Sequence, residues 1–141
     1  MSEAKEPKVA KEVAEADFER WLAEMGLSEK CDPARLNDED KRSLAAVKEL
    51  LISAMMSGSL VVDAGGCFVF TPTKSVDQTP ITFYEPTGAS FMAMDLAKRG
   101  QDVQKTIKFL ADMTKQSPTR FAKMVNRDLS VCSAISAIFL A

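Results

Sequence analysis

The chain of 141 residues contains no histidine. Histidine is the commonest general base and a frequent zinc ligand, so its absence removes the usual catalytic triads and most zinc sites. The sequence also lacks a phosphate-binding Walker loop, a dinucleotide-binding fingerprint and a calcium-binding loop. The acidic run 38–40 stands at a predicted helix start, where capping explains it without a metal. We therefore expect a protein that is not an enzyme and that uses no metal and no cofactor.

Cysteine is scarce, since the chain has only Cys31, Cys67 and Cys132. A disulfide framework needs an even number of cysteines, and metal sites usually contain closely spaced pairs such as CxxC. Neither pattern is present. We expect three reduced thiols that behave as small apolar side chains.

Long apolar runs and one-sided charge are also missing. No run approaches the roughly twenty apolar residues that span a bilayer, and the charged start of the chain lacks the apolar centre of a secretory signal. Lys and Arg total 18 against 20 Asp and Glu, and they are scattered, whereas nucleic-acid binding usually needs a basic stripe. We expect a cytoplasmic protein that binds neither membrane nor nucleic acid.

The spacing of apolar residues predicts the secondary structure, and the 46% hydrophobic content suits one globular domain. The predicted fold class is α+β, a helix-dominated single domain. A small antiparallel unit of two or three strands lies between an N-terminal helical pair and a C-terminal helical half. Residues 1–7 are predicted to be a disordered tail before a domain at 8–141. The predicted helices are about 8–26, 38–57, 89–98, 102–115, 118–125 and 127–140, and the predicted strands are about 59–63, 67–71 and 79–84.

Local signals support these boundaries. Gly26 suits the left-handed position after a helix, and Asn37 and Ser117 are good N-caps. Gly65-Gly66 between two β-prone runs predicts a hairpin. Pro80 near the start of the third strand is best placed at a sheet edge, because proline cannot donate to a ladder.

The last part of the chain, 131–141, carries no charge. As a helix it places Ile135, Ile138 and Phe139 at i, i+3 and i+4 in one apolar patch, with Leu140 at its edge. Two interpretations stay open, a partner interface or a central helix buried on all sides. Both hold if the helix is buried in an oligomer. We expect these four residues to bind a partner and the chain to self-associate.

Several short motifs resemble those of one protein family. They are 57–62 (SGSLVV), 68–72 (FVFTP), 79–88 (TPITFYEPTG), 110–114 (LADMT), Ser117-Pro118, and Arg127-Asp128 before an apolar helix. Over about residues 37 to 141, the chain resembles the tail assembly chaperones of long-tailed (siphovirus-type) bacteriophages. The family-like residues are Pro80, Ile81, Tyr84, Glu85, Pro86, Thr87 and Asp128. The chain departs from the family at Ser90, where an acidic residue is frequent.

The resemblance implies a non-enzymatic assembly factor that works in the host cytoplasm. Such chaperones bind the long, mostly helical tape measure protein and keep it soluble until the tail tube polymerises around it. They are absent from the mature virion. The family is also known for a longer form made by ribosomal frameshifting. That longer form and the tail tube protein are therefore further candidate partners.

Two alternative functions stay open at the sequence level. One is a helix-turn-helix DNA-binding regulator that uses the helices from Asp102 onward, since this half carries several Lys and Arg residues. The other is a minor structural phage protein such as a head–tail connector. DNA binding at low salt would identify the first, and copurification with finished virions would identify the second.

Overall fold

The computed structural model describes residues 8–94 and 102–140. Its helices are α1 (Lys11–Glu24), α2 (Asp38–Met56), α3 (Gly88–Met94), α4 (Asp102–Thr114), α5 (Pro118–Ala122) and α6 (Asn126–Leu140), and its strands are β1 (Leu60–Val62), β2 (Phe68–Phe70) and β3 (Ile81–Phe83). A single 3-10 turn, Pro33–Arg35, lies in the connection between α1 and α2. The predicted helix-dominated α+β fold with a three-stranded antiparallel sheet is confirmed.

Most predicted boundaries agree with the structure to within about two residues. Helix α1 begins at Lys11, three residues later than predicted, and α5 ends at Ala122, three residues earlier. The strands are shorter than predicted, although hydrogen bonds from Asp63 N to Cys67 O and from Thr71 N to Ser59 O continue the ladder at both ends of the hairpin. The predicted tail at 1–7 and the predicted helical residues 95–98 lie outside the described residues.

The predicted caps form. Asn37 begins α2, and its side-chain oxygen accepts the Asp40 amide at 2.7 Å. Ser117 begins α5 in the same way, accepting the Thr119 amide at 3.3 Å. Gly66 closes the hairpin with φ +85°, a left-handed conformation that favours glycine. The capping residues and the turn glycine in the sequence therefore predict the helix starts and the turn correctly.

The sheet has the order β1-β2-β3, and both pairings are antiparallel. One face is buried against the helices through Leu60, Phe68, Phe70, Ile81 and Phe83. The opposite face carries Val61, Val69 and Thr82, which are aligned across the three strands by the register. Val61 on this face is 45% exposed. The alternation of buried and outer residues is what the period-2 pattern of the sequence predicts.

Aromatic side chains join α1 to the sheet. Trp21 is fully buried, with its ring centroid 4.4 Å from that of Phe68 and 5.9 Å from that of Phe18. Helix α6 packs against both α2 and α4, and Cys132 and Ile135 are completely buried. The uncharged part of α6, from residue 131 on, therefore contributes to the centre of the core.

Candidate protein-binding surface

Helix α2 has a wider apolar stripe than the core covers. Leu51 and Met55, in its second half, are buried. Leu44 and Val47, in its first half, are only half-buried, and Leu50 is 39% exposed. The first half of the stripe is therefore partly open to solvent, whereas the second half belongs to the core.

The exposed part of this stripe lines one wall of a depression, which we call the α2–α6 groove. Its centre is a cavity of about 350 Å³ between Val47 on α2 and Ala137 on α6. Adjoining cavities of about 530 Å³ extend it in both directions, one past Leu44 to Leu36 and the other past Val47 to Val103 on α4. The groove is lined by Cys31, Leu36, Leu44, Val47, Leu50, Val103, Thr106, Ile107, Leu129, Ser130, Ser133, Ala137 and Ile138, among others.

The shape of the groove suits a helix. Its α6 side presents the small residues Ser130, Ser133 and Ala137, spaced at i, i+3 and i+7, so another helix can approach closely there. The α2 wall from Leu44 to Leu50 runs about 9 Å along the helix axis at 1.5 Å per residue. Side chains at i, i+3 and i+4 of an amphipathic helix match such a wall.

The charges around the groove are mixed. Lys30, Lys41 and Lys48 line its α1 end together with Glu19, Asp32 and Asp40. No single sign dominates, so apolar contact rather than a charge field would drive binding there.

The structure corrects the predicted partner-binding patch. Ile135 is completely buried and Ile138 is 2% exposed, and both α2 and α4 pack against α6. Phe139 is half-buried, with its ring edge-on to Trp21 at 5.5 Å between centroids. Only Leu140, 37% exposed, is open to solvent. The four residues therefore do not form one contiguous surface patch, and α6 is buried on the face that carries Ile135 and Ile138 but open at Ala137 and Leu140.

The family-like residues at 80–85 lie on strand β3 and just after it. Ile81 is buried in the sheet, whereas Pro80, Tyr84 and Glu85 are exposed. The Lys115 ammonium lies 4.7 Å from the centre of the Tyr84 ring, a cation–π distance that ties the end of α4 to this strand. This segment therefore presents a polar, partly aromatic surface.

The Pro86-Thr87 pair starts helix α3. The Thr87 carbonyl accepts the Ser90 amide at 3.0 Å, and the Thr87 amide donates to Ser90 Oγ at 3.1 Å. Ser90 is buried and donates its hydroxyl to Asp112 Oδ2 at 2.6 Å. The residue at which the chain departs from the family therefore joins α3 to α4.

Asp128, the last family-like residue, is 2% exposed near the start of α6. Its carboxylate accepts the amides of Thr73, Lys74 and Ser75 at 2.8–3.1 Å, and also the hydroxyls of Thr73 and Ser75. Burial alone would raise the pKa of Asp128, but the bonds from the Ser75 hydroxyl and the three amides outweigh it and hold that pKa below its usual value. Asp128 therefore fixes the β2–β3 loop to the helical half.

The remaining chemistry of the described residues is simple. All three cysteines are free thiols, and burial raises the pKa of each. Among residues 8–94 and 102–140, no group of three or more Cys, Asp or Glu side chains is placed to hold a metal ion. In the same ranges, no helix has both the length and the apolar character to cross a membrane.

No family model, no curated protein and no solved structure matches the chain significantly.

Proposed function

We propose that this chain is a tail assembly chaperone of a long-tailed bacteriophage. In this role it binds the tape measure protein in the host cytoplasm, keeps it soluble until the tail tube polymerises, and is absent from the mature virion. The observation that supports the proposal best is the α2–α6 groove, an open depression lined mostly by apolar and small side chains. The motif resemblance over residues 37 to 141 supports it independently.

The groove can cover apolar surface, which is what the tape measure protein, as the client of a chaperone, requires. A long amphipathic helix exposes an apolar stripe that promotes aggregation until it is covered. A groove walled by Leu44, Val47 and Leu50 can cover a short section of such a stripe. Many copies along a long client give high overall avidity from weak individual sites, and weak sites can still release the client during tube assembly.

The proposed contact residues differ from those expected from the sequence. Leu50 and Val103 are exposed at the groove, at 39% and 66%, and they lie on different helices. They replace Ile135 and Phe139 as the residues to test, because changing them does not disturb the core.

The first prediction concerns these two residues. With wild-type protein, co-expression should bring the tape measure protein into the soluble fraction as a complex. Leu50→Asp or Val103→Asp should reduce the copurified client at least tenfold, because each places a carboxylate against the apolar face of the bound helix. Both variants should keep a melting temperature within a few degrees of wild type, since exposed substitutions usually change stability by under about 0.5 kcal/mol.

Val13→Asp is the matched control. Val13 is 52% exposed on α1 and does not line the groove, so this variant should retain the client. Equal retention of the client by all three variants would refute the groove as the binding site. Failure of the wild-type protein to solubilise the tape measure protein would refute the proposed function itself.

The two alternatives have less support. A recognition helix must be exposed along one face, whereas α5 has five residues and α6 is buried at seven of its fifteen positions. Binding of wild-type protein to calf-thymus DNA at low salt would revive the DNA-binding alternative. Copurification with finished virions would favour a structural protein instead.

A further inference from the structure

Strand β3 has a free edge. The bonds Asp63 N to Cys67 O and Thr71 N to Ser59 O show that the odd-numbered residues of β2 face β1. In an antiparallel ladder successive residues alternate in direction, so the even-numbered residues of β2 face β3. Ile81 and Phe83 therefore bond to β2, while the amide and carbonyl of Thr82 point away from the sheet. Neither group of Thr82 has a hydrogen-bond partner within the described residues.

The opposite edge of the sheet is protected. The Arg20 guanidinium donates to the carbonyls of Val62 and Asp63, at 3.2 and 3.3 Å, and so covers the outer side of β1 at its Val62 end. Proteins commonly block edge strands with charged side chains of this kind, because an open edge is a template for another strand. The chain therefore protects one edge of its sheet and leaves the other available.

The free edge is uncharged and self-complementary. All six residues from Thr79 to Tyr84 lack charge, so no charge on the segment itself opposes two copies that lie antiparallel. The outward groups are the amides of Thr82 and Tyr84 and the carbonyls of Pro80, Thr82 and Tyr84. Thr82 presents both a donor and an acceptor, and the Tyr84 donor on one side of it matches the Pro80 acceptor on the other, which permits a two-fold axis at Thr82.

We propose that a second copy of this chain pairs with β3 edge to edge, so that the two sheets form one six-stranded antiparallel sheet. The two-fold axis passes beside Thr82, whose amide and carbonyl bond reciprocally to those of the partner's Thr82. The Tyr84 amide then donates to the carbonyl of the partner's Pro80. Proline cannot return that bond, which limits the interface to four backbone hydrogen bonds.

This pairing has the properties of a reversible, isologous dimer. The outer faces of the two sheets become continuous. The row formed by Val61, Val69 and Thr82 is then extended by the same row of the second copy. An interface of four hydrogen bonds is small, and we expect dimerisation to depend on concentration. The inference uses only the sheet and stands whether or not the tape measure protein is the client.

Sedimentation velocity across micromolar to millimolar concentrations tests the pairing. Wild-type protein should shift from 15.4 kDa towards twice that mass. Thr82→Lys should stay monomeric at every concentration, because it places two ammonium groups together at the two-fold axis. Val61→Lys is the matched control, since it adds the same charge on the same sheet face at the protected edge, and it should dimerise like wild type.

Mixing two oppositely charged variants distinguishes a loss of pairing from misfolding. Thr82→Glu alone should also be monomeric, whereas an equimolar mixture of Thr82→Lys and Thr82→Glu should recover the dimer. A strictly monomeric wild-type protein at millimolar concentration would overturn the proposal, as would a Thr82→Lys variant that associates like wild type. A mixture that stays monomeric would overturn it as well.

Discussion

At the scale of single residues, Asp128 has the densest set of contacts described above. Its buried carboxylate accepts from three consecutive amides and two hydroxyls. The Ser75 hydroxyl extends the network by accepting the Val125 amide at 3.1 Å. One side chain therefore satisfies the backbone of the β2–β3 loop and joins it to the turn between α5 and α6. This explains why a buried charge is tolerated at the start of a helix that carries no charge from Leu129 to Leu140.

We predict that Asp128→Asn lowers the free energy of unfolding by about 2–4 kcal/mol at neutral pH, because an amide nitrogen cannot accept and leaves buried donors unpaired. The carboxyl pKa is lower in the folded chain than its ordinary 3.8. The stabilisation is therefore complete above about pH 4–5 and is lost as the pH falls through the folded pKa. Wild-type stability should drop below pH 4 more steeply than that of the variant, as measured by urea unfolding at a series of pH values.

Asp112→Asn is the comparison for this experiment. Asp112 is exposed and accepts a single side-chain bond, from Ser90. Its substitution should cost about 1 kcal/mol or less. Equal losses for the two variants would show that the Asp128 network contributes no more than an ordinary surface hydrogen bond.

At the scale of elements, the β1–β2 hairpin depends on Gly66 for two reasons. Its φ of +85° is unfavourable for other residues, and a Cβ at this position would lie 2.7 Å from Glu24 Cγ on α1. Gly26, after α1, shares the first property with φ +69° but has no atom within 4 Å of the corresponding Cβ. Substitutions at the two glycines therefore distinguish the cost of a left-handed backbone conformation from the cost of close packing.

We predict that Gly26→Ala lowers the free energy of unfolding by about 1 kcal/mol, the conformational cost of a left-handed alanine. Gly66→Ala should lower it by about 2 kcal/mol or more, because Glu24 must also move away. Thermal unfolding monitored by circular dichroism measures both losses. If the double variant Gly66→Ala with Glu24→Ala loses as much as Gly66→Ala alone, steric contact with Glu24 Cγ and Cδ is not the cause of the difference.

At the scale of the whole molecule, the two proposed surfaces have no residue in common. The α2–α6 groove is built from α2, α4, α6 and the α1–α2 connection, whereas the free edge belongs to β3. We predict that Leu50→Asp dimerises like wild type and that Thr82→Lys still copurifies with the tape measure protein. Sedimentation and co-expression of both variants test this separation. Loss of dimerisation in Leu50→Asp would show that the two surfaces are coupled.

Much of the fold could be predicted from local sequence signals. The capping of α2 by Asn37, the hairpin turn at Gly66 and the alternation in β3 each depend on residues within a few positions of one another. The C-terminal helix was predicted as an element, but its surroundings were not. Periodicity shows that Ile135 and Ile138 share an apolar face, and it carries no information on which helices cover that face.

The composition and local spacing of the sequence alone therefore determine the helices, the turns and the strand order along the chain, because these arise from short-range sterics and hydrogen bonds. The tertiary structure decides which apolar residues remain available to partners. Leu44 and Val47 have the same helical spacing as Leu51, yet they are only half-buried and line the groove. The free edge of β3 also depends on long-range pairing, since only the register with β2 determines that Thr82 points outward.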